Sequence, residues 1–251
     1  MLEVTPALAV ASGGDQFLPQ LLIQRAASST YAAELSLGRL RHTLRSRVTN
    51  ITAPIEPDSD ADADSDFETD GKSRVSSMPN ASSALKLIEQ CLHMLESVES
   101  DEKLSALKAL VHSITEAKPE ELLRVCVFSM YVDTVEYLHS ALEYAGTPVF
   151  KITGRDSFAG RAGIVEGFRR AGGLLVGTDG GISEGIELRD VTHVIHYDVP
   201  TNPMTMEQRR GRVDRYGRTT PCTMYLLRDD SGAITFESEV IDRLHSIPSV
   251  D

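Results

Sequence analysis

The sequence predicts an α/β fold, a parallel sheet with helices on both faces, preceded by a helical segment and a disordered acidic linker. Three observations point there. From Arg124 onward, short continuously apolar runs alternate with stretches of helical period, the pattern of strands buried on both faces. Residues 16–48 and 81–118 carry leucines at helix-like intervals instead. Between them, residues 49–80 are rich in Asp, Ser, Ala and Pro and bury too little apolar surface to offset chain entropy. With 251 residues, 41% of them hydrophobic and 25% charged, the chain has room for one sizeable domain and an appendage.

Leu18, Leu21, Leu22 and Ala26, then Leu37, Leu40 and Leu44, predict helices across residues 16–48, with arginines between them. The start, Met1 to Ser12, is faintly signal-like, but Glu3 stands where such a segment needs a basic residue, so a cytoplasmic protein is expected. Cys91, Cys126 and Cys222 lie far apart with no metal-binding spacing, in keeping with a reducing compartment. No apolar run approaches membrane-spanning length, so no membrane partner is expected.

The net charge of −12 reports the linker more than the protein. Glu56, Asp58, Asp60, Asp62, Asp64, Asp66, Glu68 and Asp70 supply eight of the negatives, and the balance without them is −4. Such a near-neutral balance is compatible with gripping nucleic acid in a local groove, without suggesting it. Two decoys fall in this stretch. Gly71-Lys72-Ser73 imitates the end of a phosphate loop, but Asp66 occupies the position of its first glycine. Asp66-x-Glu68-x-Asp70-Gly71 imitates a calcium loop, but Ser77 replaces the closing glutamate.

Leu85, Ile88, Leu92 and Leu95, then Leu104, Leu107, Leu110, Val111 and Ile114, predict a helical lead-in over 81–118. The sheet domain is then expected over 119–251. Its strands are Val125–Ser129, Val149–Thr153, Leu174–Thr178, His193–Val199 and Thr223–Leu227. Helices are expected through Val132–Leu142 (closed by Gly146), around Arg161–Arg170, from Asn202 onward and near Glu237–Leu244. Open α/β sheets bind ligands at the carboxyl ends of their strands, where Ser129, Thr153-Gly154 and Thr178-Asp179 fall. His196 and Tyr197 are expected to be core or surface residues, not catalytic ones.

Asn202 can cap a helix whose first turn holds Pro203. If that helix continues, Gln208, Arg212 and Arg215 stand at i, i+4 and i+7 on one face. Gly211 in its interior costs about 1 kcal/mol relative to Ala and leaves room for a close approach. Guanidiniums suit phosphate oxygens, so the face reads as a pair of arginines aimed at a nucleotide. It reads equally as a solvated basic helix paired with Glu207 and Asp214. Spacing alone leaves both open.

Gln208-Arg-Arg-Gly211-Arg212-Val-Asp-Arg215-Tyr-Gly217-Arg218 resembles motif VI of superfamily 2 helicases and translocases. Leu174-Leu-Val-Gly-Thr178-Asp179-Gly-Gly-Ile-Ser-Glu-Gly185-Ile-Glu187-Leu resembles their motif V, and Val125–Ser129 their motif IV. With Asp198-Val-Pro-Thr-Asn202-Pro203, the run is most similar to Swi/Snf-type ATPases, their bacterial RNA-polymerase-associated branch above all. Arg25 to Ala32 resembles the segment leaving the first motor lobe in those proteins, although Thr30 sits where a proline is common.

The resemblance implies a RecA-like second lobe of an ATP-dependent helicase or translocase. Arg212 and Arg215 would be its arginine fingers, and Gly185, Glu187 and Gln208 would lie on the ATP side. Ser129, Thr153, Gly154, Thr178 and Asp179 would face the nucleic acid, with double-stranded DNA as the expected substrate. Glu187 departs from the Asn or Asp usual in relatives. No Walker A lysine loop or Asp-Glu-x-His box occurs in the chain. The resemblance therefore assigns the phosphate cradle and the Mg²⁺ ligands to a first lobe elsewhere, as part of a larger complex or a longer chain. A binding or regulatory module that kept the fold without the motor role is the alternative.

Overall fold

The computed structural model describes residues 5–14, 16–49, 78–98, 100–143, 146–182, 186–200, 202–214, 218 and 221–228. The chain divides into two compact units, Met1–Asp101 and Glu102–Asp251. Residues 50–77 of the acidic linker expected over 49–80, and the helix expected near Glu237–Leu244, lie outside the described residues.

The first unit is helical: α1 (Thr5–Ala11), α2 (Phe17–Ser28), α3 (Thr30–Val48) and α4 (Ala81–Glu96). Its core joins Leu18 and Leu22 of α2, Leu37, Leu40 and Leu44 of α3, and Ala84, Ile88 and Cys91 of α4. Ser29 breaks α2 from α3 in extended backbone and caps α3, its hydroxyl accepting from the Ala32 amide at 3.0 Å. The short α1 lies in the helical segment expected over 1–48, ahead of the stretch whose leucine spacing predicts helix. Its Leu8 and Ala11 are buried in the same core.

The second unit begins one helix earlier than the expected boundary at 119. It contains α5 (Glu102–Ala117), β1 (Arg124–Ser129), α6 (Val132–Glu143), β2 (Val149–Ile152) and α7 (Phe158–Ala171). β3 (Gly173–Thr178), β4 (His193–His196), α8 (Pro203–Val213) and β5 (Thr223–Leu226) follow. The five strands are ordered β2-β3-β1-β4-β5 and every pairing is parallel. Alternate strand residues serve opposite faces. Val125 and Val127 of β1, Leu174 and Val176 of β3, and Ile195 of β4 pack with Leu107, Val111 and Ile114 of α5 and Val135 and Leu138 of α6. Cys126 and Phe128, Leu175, and Val194 point the other way, toward Val165 and Phe168 of α7 and Val213 of α8. Period-two alternation within continuous apolar runs thus fills both faces of one sheet. The apolar stripe of α5 covers one of them, which is why that helix belongs with the sheet.

Register sets the ligand end of the sheet. Ser129 pairs with Thr178, so the carboxyl ends of β1 and β3 lie side by side, with β2 next to β3 and β4 next to β1. β3 and β2 approach closely at Gly177, where a Cβ would lie 2.5 Å from Ile152 Cγ2 and 2.9 Å from the Ile152 carbonyl oxygen. Gly177→Ala is therefore expected to destabilise the fold by about 1–3 kcal/mol through overpacking. Gly163→Ala, on α7 where an added Cβ meets nothing within 4 Å, is expected to stabilise by about 0.5–1 kcal/mol. Urea denaturation of both variants checks the pair. Equal effects would contradict the packing described at β2.

Candidate functional site

The centre of the site is a side chain that sequence did not single out. Arg209, on α8, is 1% exposed. Its Nε and Nη2 donate to Asp179 Oδ1 at 2.6 Å and Oδ2 at 2.8 Å, a bidentate pair. Its Nη1 donates to the Asp198 carbonyl at 3.1 Å and to His196 Nδ1 at 3.3 Å. The guanidinium lies over the Phe128 ring, 5.3 Å from its centroid, and His196 stacks on the same ring at 6.0 Å. One cation therefore spans the ends of β3, β1 and β4. Arg209 and Val213 stand at i and i+4 and both are buried, but the sequence alone does not mark which of the three arginines faces inward.

His196 takes part in this hub as a neutral ring. Burial, with the Arg209 guanidinium adding to it, lowers its pKa to about 3. Arginine can only donate, so Nδ1 accepts and the proton sits on Nε2. Cys126, buried in β1, has its thiol pKa pushed up by loss of solvent, which makes it inert.

Asp198 forms the second knot. Its Oδ2 accepts from the Ser129 hydroxyl at 2.5 Å and the Met130 amide at 2.9 Å, while Lys103 Nζ approaches Oδ1 at 3.4 Å. Lys103 also lies over the Tyr197 ring, 4.7 Å from its centroid. Ser129 is fully buried, and its oxygen also accepts from the Tyr131 amide at 3.3 Å. Its hydroxyl is spent inside the protein, so the expected outward-facing contact is not what the structure places there.

Thr178 is likewise folded inward. It is 3% exposed, and its hydroxyl accepts from the Gly181 amide at 3.0 Å while its carbonyl accepts from the Ile182 amide at 2.9 Å. Gly181 is needed for packing, because a Cβ there would meet the Ile152 carbonyl and Thr153 Cα at 2.6 Å. That amide is therefore not free for a phosphate. Gly180 beside it is exposed. Thr153 is buried, its amide and hydroxyl both donating to Asp156 Oδ2 at 2.7 and 3.1 Å, and Gly154 follows half-buried. Arg161 joins the two turns, donating to the Asp156 carbonyl at 2.8 Å and the Gly180 carbonyl at 3.0 Å. Thr153-Gly154 and Thr178-Asp179 are thus brought together at one edge.

Helix α8 begins as expected, with the Asn202 side chain accepting from the Met204 amide at 3.0 Å. It ends at Val213, because Asp214 is extended at φ −92° and ψ 93°. Arg215, the expected i+7 position, lies outside the described residues, as does Gly185. Gln208 is exposed and Arg212 half-buried. Arg210 has Glu207 and Asp214 within 3.7 Å, whereas no ion-pair partner meets Arg212 among the described residues. A Cβ on Gly211 would meet nothing within 4 Å. Glu187 pairs with Arg189 at 3.1 Å, and its carbonyl accepts from Arg169 at 2.6 Å. Arg218, which sequence also left unassigned, donates to the backbone carbonyls of Arg189 and Val213 at 3.1 Å and to that of Val191. It holds the segment leading into β4 against the end of α8. Among the described residues no cluster of acidic, His or Cys side chains is arranged to hold a metal ion, and no described helix is long and apolar enough to cross a membrane.

A RecA-like sheet with its strand ends bound to an arginine-bearing helix resembles the C-terminal lobe of superfamily 2 helicases. Residues 102–217 match the helicase conserved C-terminal domain. The chain is 33% identical over 102 residues to the uncharacterized ATP-dependent helicase YqhH of Bacillus subtilis (strain 168), covering 41% of this chain and 18% of that protein. It is 30% identical over 158 residues to the human ATP-dependent RNA helicase DDX55, covering 62% and 25%. To the human DNA repair and recombination protein RAD54B it is 32% identical over 130 residues, covering 50% and 14%. The chain spans a quarter or less of the length of these relatives. The Pyrococcus furiosus Hef helicase domain shares the fold, with a TM-score of 0.53 at 18% identity, covering 89% of this chain and 42% of that one.

Because His196 is held neutral, it makes stability depend on pH. Above its ordinary value of 6.5 the ring is neutral in both states. As pH falls below that, the unfolded chain binds a proton that the folded chain refuses, so stability is lost down to about 3. Relative to His196→Gln, the natural protein is expected to lose about 2 kcal/mol between roughly pH 7.5 and pH 5 in urea denaturation. Parallel pH profiles for the two proteins would refute the buried neutral ring.

Proposed function

We propose that this chain supplies the second lobe of an ATP-dependent nucleic-acid motor of the Swi/Snf-like kind, acting on duplex DNA. The observation that carries the reading is how the arginines of α8 are sorted. Arg209 is buried in the hub, Arg210 is matched by carboxylates on or beside its own helix, and Arg212 alone of the three is half-buried with no counter-ion among the described residues. Beside it, Gly211 faces open space. A partly desolvated cation with no matching anion among the described residues suits an anionic ligand better than solvent.

ATP would supply the phosphoryl group whose transfer to water drives the cycle. Arg212, with Arg215 following it, would donate N–H groups to the oxygens where negative charge builds up. Gln208 would sit beside them, with Gly185 and Glu187 nearer the sugar. Mg²⁺ and the attacking water would be held by a first lobe, in a longer form of this protein or in a separate chain. The nucleic-acid side would be the turns at Thr153-Gly154 and Thr178-Asp179, presenting backbone groups such as those of Gly154 and Gly180. Ser129 is withdrawn from that role, since its hydroxyl serves Asp198.

Similarity to DDX55 over 158 residues favours a second reading in which the strand is RNA. The test is ATP turnover by this chain joined to its first lobe, measured without nucleic acid, with duplex DNA and with RNA. Stimulation by duplex DNA that falls about 10³-fold in Arg212→Ala is the expected result. Greater stimulation by RNA would move the substrate to RNA. Turnover indifferent to Arg212, or robust turnover by this chain alone, would overturn the reading.

A further inference from the structure

We propose that Phe158 stacks on an unpaired base, so that the nucleic acid engaged at this edge of the sheet is a duplex carrying a single-stranded end or gap. The proposal rests on the nucleic-acid reading given above and adds to it the form of strand that is held. Of the phenylalanines among the described residues, Phe128 and Phe168 are buried and Phe17 and Phe150 half-buried. Phe158 is 70% exposed. A lone apolar side chain on a surface is ordinary, so its exposure matters only through its position.

Phe158 opens helix α7 directly after the turn at Thr153-Gly154, and that turn is well braced. Asp156 takes the Thr153 amide and hydroxyl, the Ser157 hydroxyl accepts from the Gly160 amide at 3.2 Å, and Arg161 ties the turn to the Gly180 carbonyl. The ring is therefore held out from a fixed base. It is also left bare. One turn along α7, Arg161 is drawn back to the Asp156 and Gly180 carbonyls, and Ala162 is too short to cover a phenyl ring. Gly163 follows where a Cβ would meet nothing within 4 Å, so the helix is weakened there with no gain in packing. Arg155, three residues before Phe158, is exposed and brings positive charge to the same turn. A cation that tracks phosphates beside a bare aromatic face is the combination that holds a strand with splayed bases.

The choice of an unpaired base follows from what a phenyl ring can recognise. It has a face and no hydrogen-bonding group, so it cannot read a base edge. Inside a duplex the face of each base is covered by its neighbours, and uncovering one costs unstacking energy. A base at a single-stranded end or gap has already lost a neighbour, and stacking on the ring replaces it. Every base has such a face, so the contact tolerates any sequence.

Fluorescence anisotropy of the full chain at low salt tests this with three labelled DNAs: a blunt duplex, the same duplex with a single-stranded extension, and that extension made abasic. The last two carry the same phosphates, so a difference between them reports the bases alone. The natural chain is expected to bind the base-bearing extension at least about fivefold more tightly than the abasic one. Phe158→Ala is expected to abolish that preference, Phe158→Trp to keep it and Phe158→Leu to lose it, with blunt-duplex affinity unchanged within about twofold throughout. Position 158 is exposed, so these variants leave no cavity in the core. No preference in the natural chain, a preference that survives in Phe158→Ala or Phe158→Leu, or an equal loss for all three DNAs would overturn the stacking role. Unchanged DNA binding in Phe158→Ala with slower turnover of the chain joined to its first lobe would make the ring a protein contact and overturn it as well. Binding to none of the three DNAs by the natural chain would overturn the reading of this edge as a DNA contact, and the stacking role with it.

Discussion

The carboxyl end of the sheet depends on one buried guanidinium. Removing Arg209 from water is costly, of the order of several kcal/mol, and only good geometry with nearly all donors satisfied makes the site tolerable. The structure supplies it: Asp179 takes two of the five N–H groups, and the Asp198 carbonyl and His196 take two more. A hydrophobic residue could have packed α8 at less risk. The charge instead makes the helix answerable to groups on three strands. It also dictates the state of His196, whose lone pair must face the guanidinium and whose ring therefore stays neutral.

Around that cation, strand register and two close backbone approaches do the rest. With β1 central and β3 beside it, Ser129 and Thr178 fall level, and Asp198 leaves β4 at the same height. Gly177 lets β3 lie tight against Ile152, and Gly181 lets the following turn settle on Thr153. The two turns that could meet a phosphate backbone are thus locked together before any ligand arrives, with Arg161 bridging them. Most hydroxyls at this edge are consumed in building it. Backbone groups, with Arg210 and Arg212 of α8, are left at the surface.

Much of this architecture was legible. The five strands are where apolar runs of four to six residues place them, because burial on both faces demands continuous hydrophobicity. Asn202 announced its helix through a side chain that satisfies a first-turn amide. What was hidden is polar. A sequence displays Arg209, Arg210 and Arg212 as three similar charges, and nothing in their spacing says which one is buried. Ser129 ends a strand at a ligand-binding edge and so reads as a contact, yet Asp198, 69 residues away, claims its hydroxyl. The end of α8 at Val213 was equally hidden, since Asp214 and Arg215 do not forbid a helix. Leu107, Val111 and Ile114 show that α5 is amphipathic without naming the surface it covers.

The three arginines also show why a basic helix face resists interpretation from sequence. Each occupies a different dielectric and has a different anion. Arg209 is desolvated and matched by a bidentate carboxylate, which makes it structural. Arg210 is exposed beside Glu207 and Asp214, pairs worth a fraction of a kcal/mol each. Arg212 is partly desolvated with no matching anion among the described residues, a state that a folded protein keeps only at some cost. An incoming phosphate would lower that cost at the one arginine where it has not already been met. The same helix that anchors itself through one cation therefore presents another, and the rigidity gained from the first is what gives the second a defined direction.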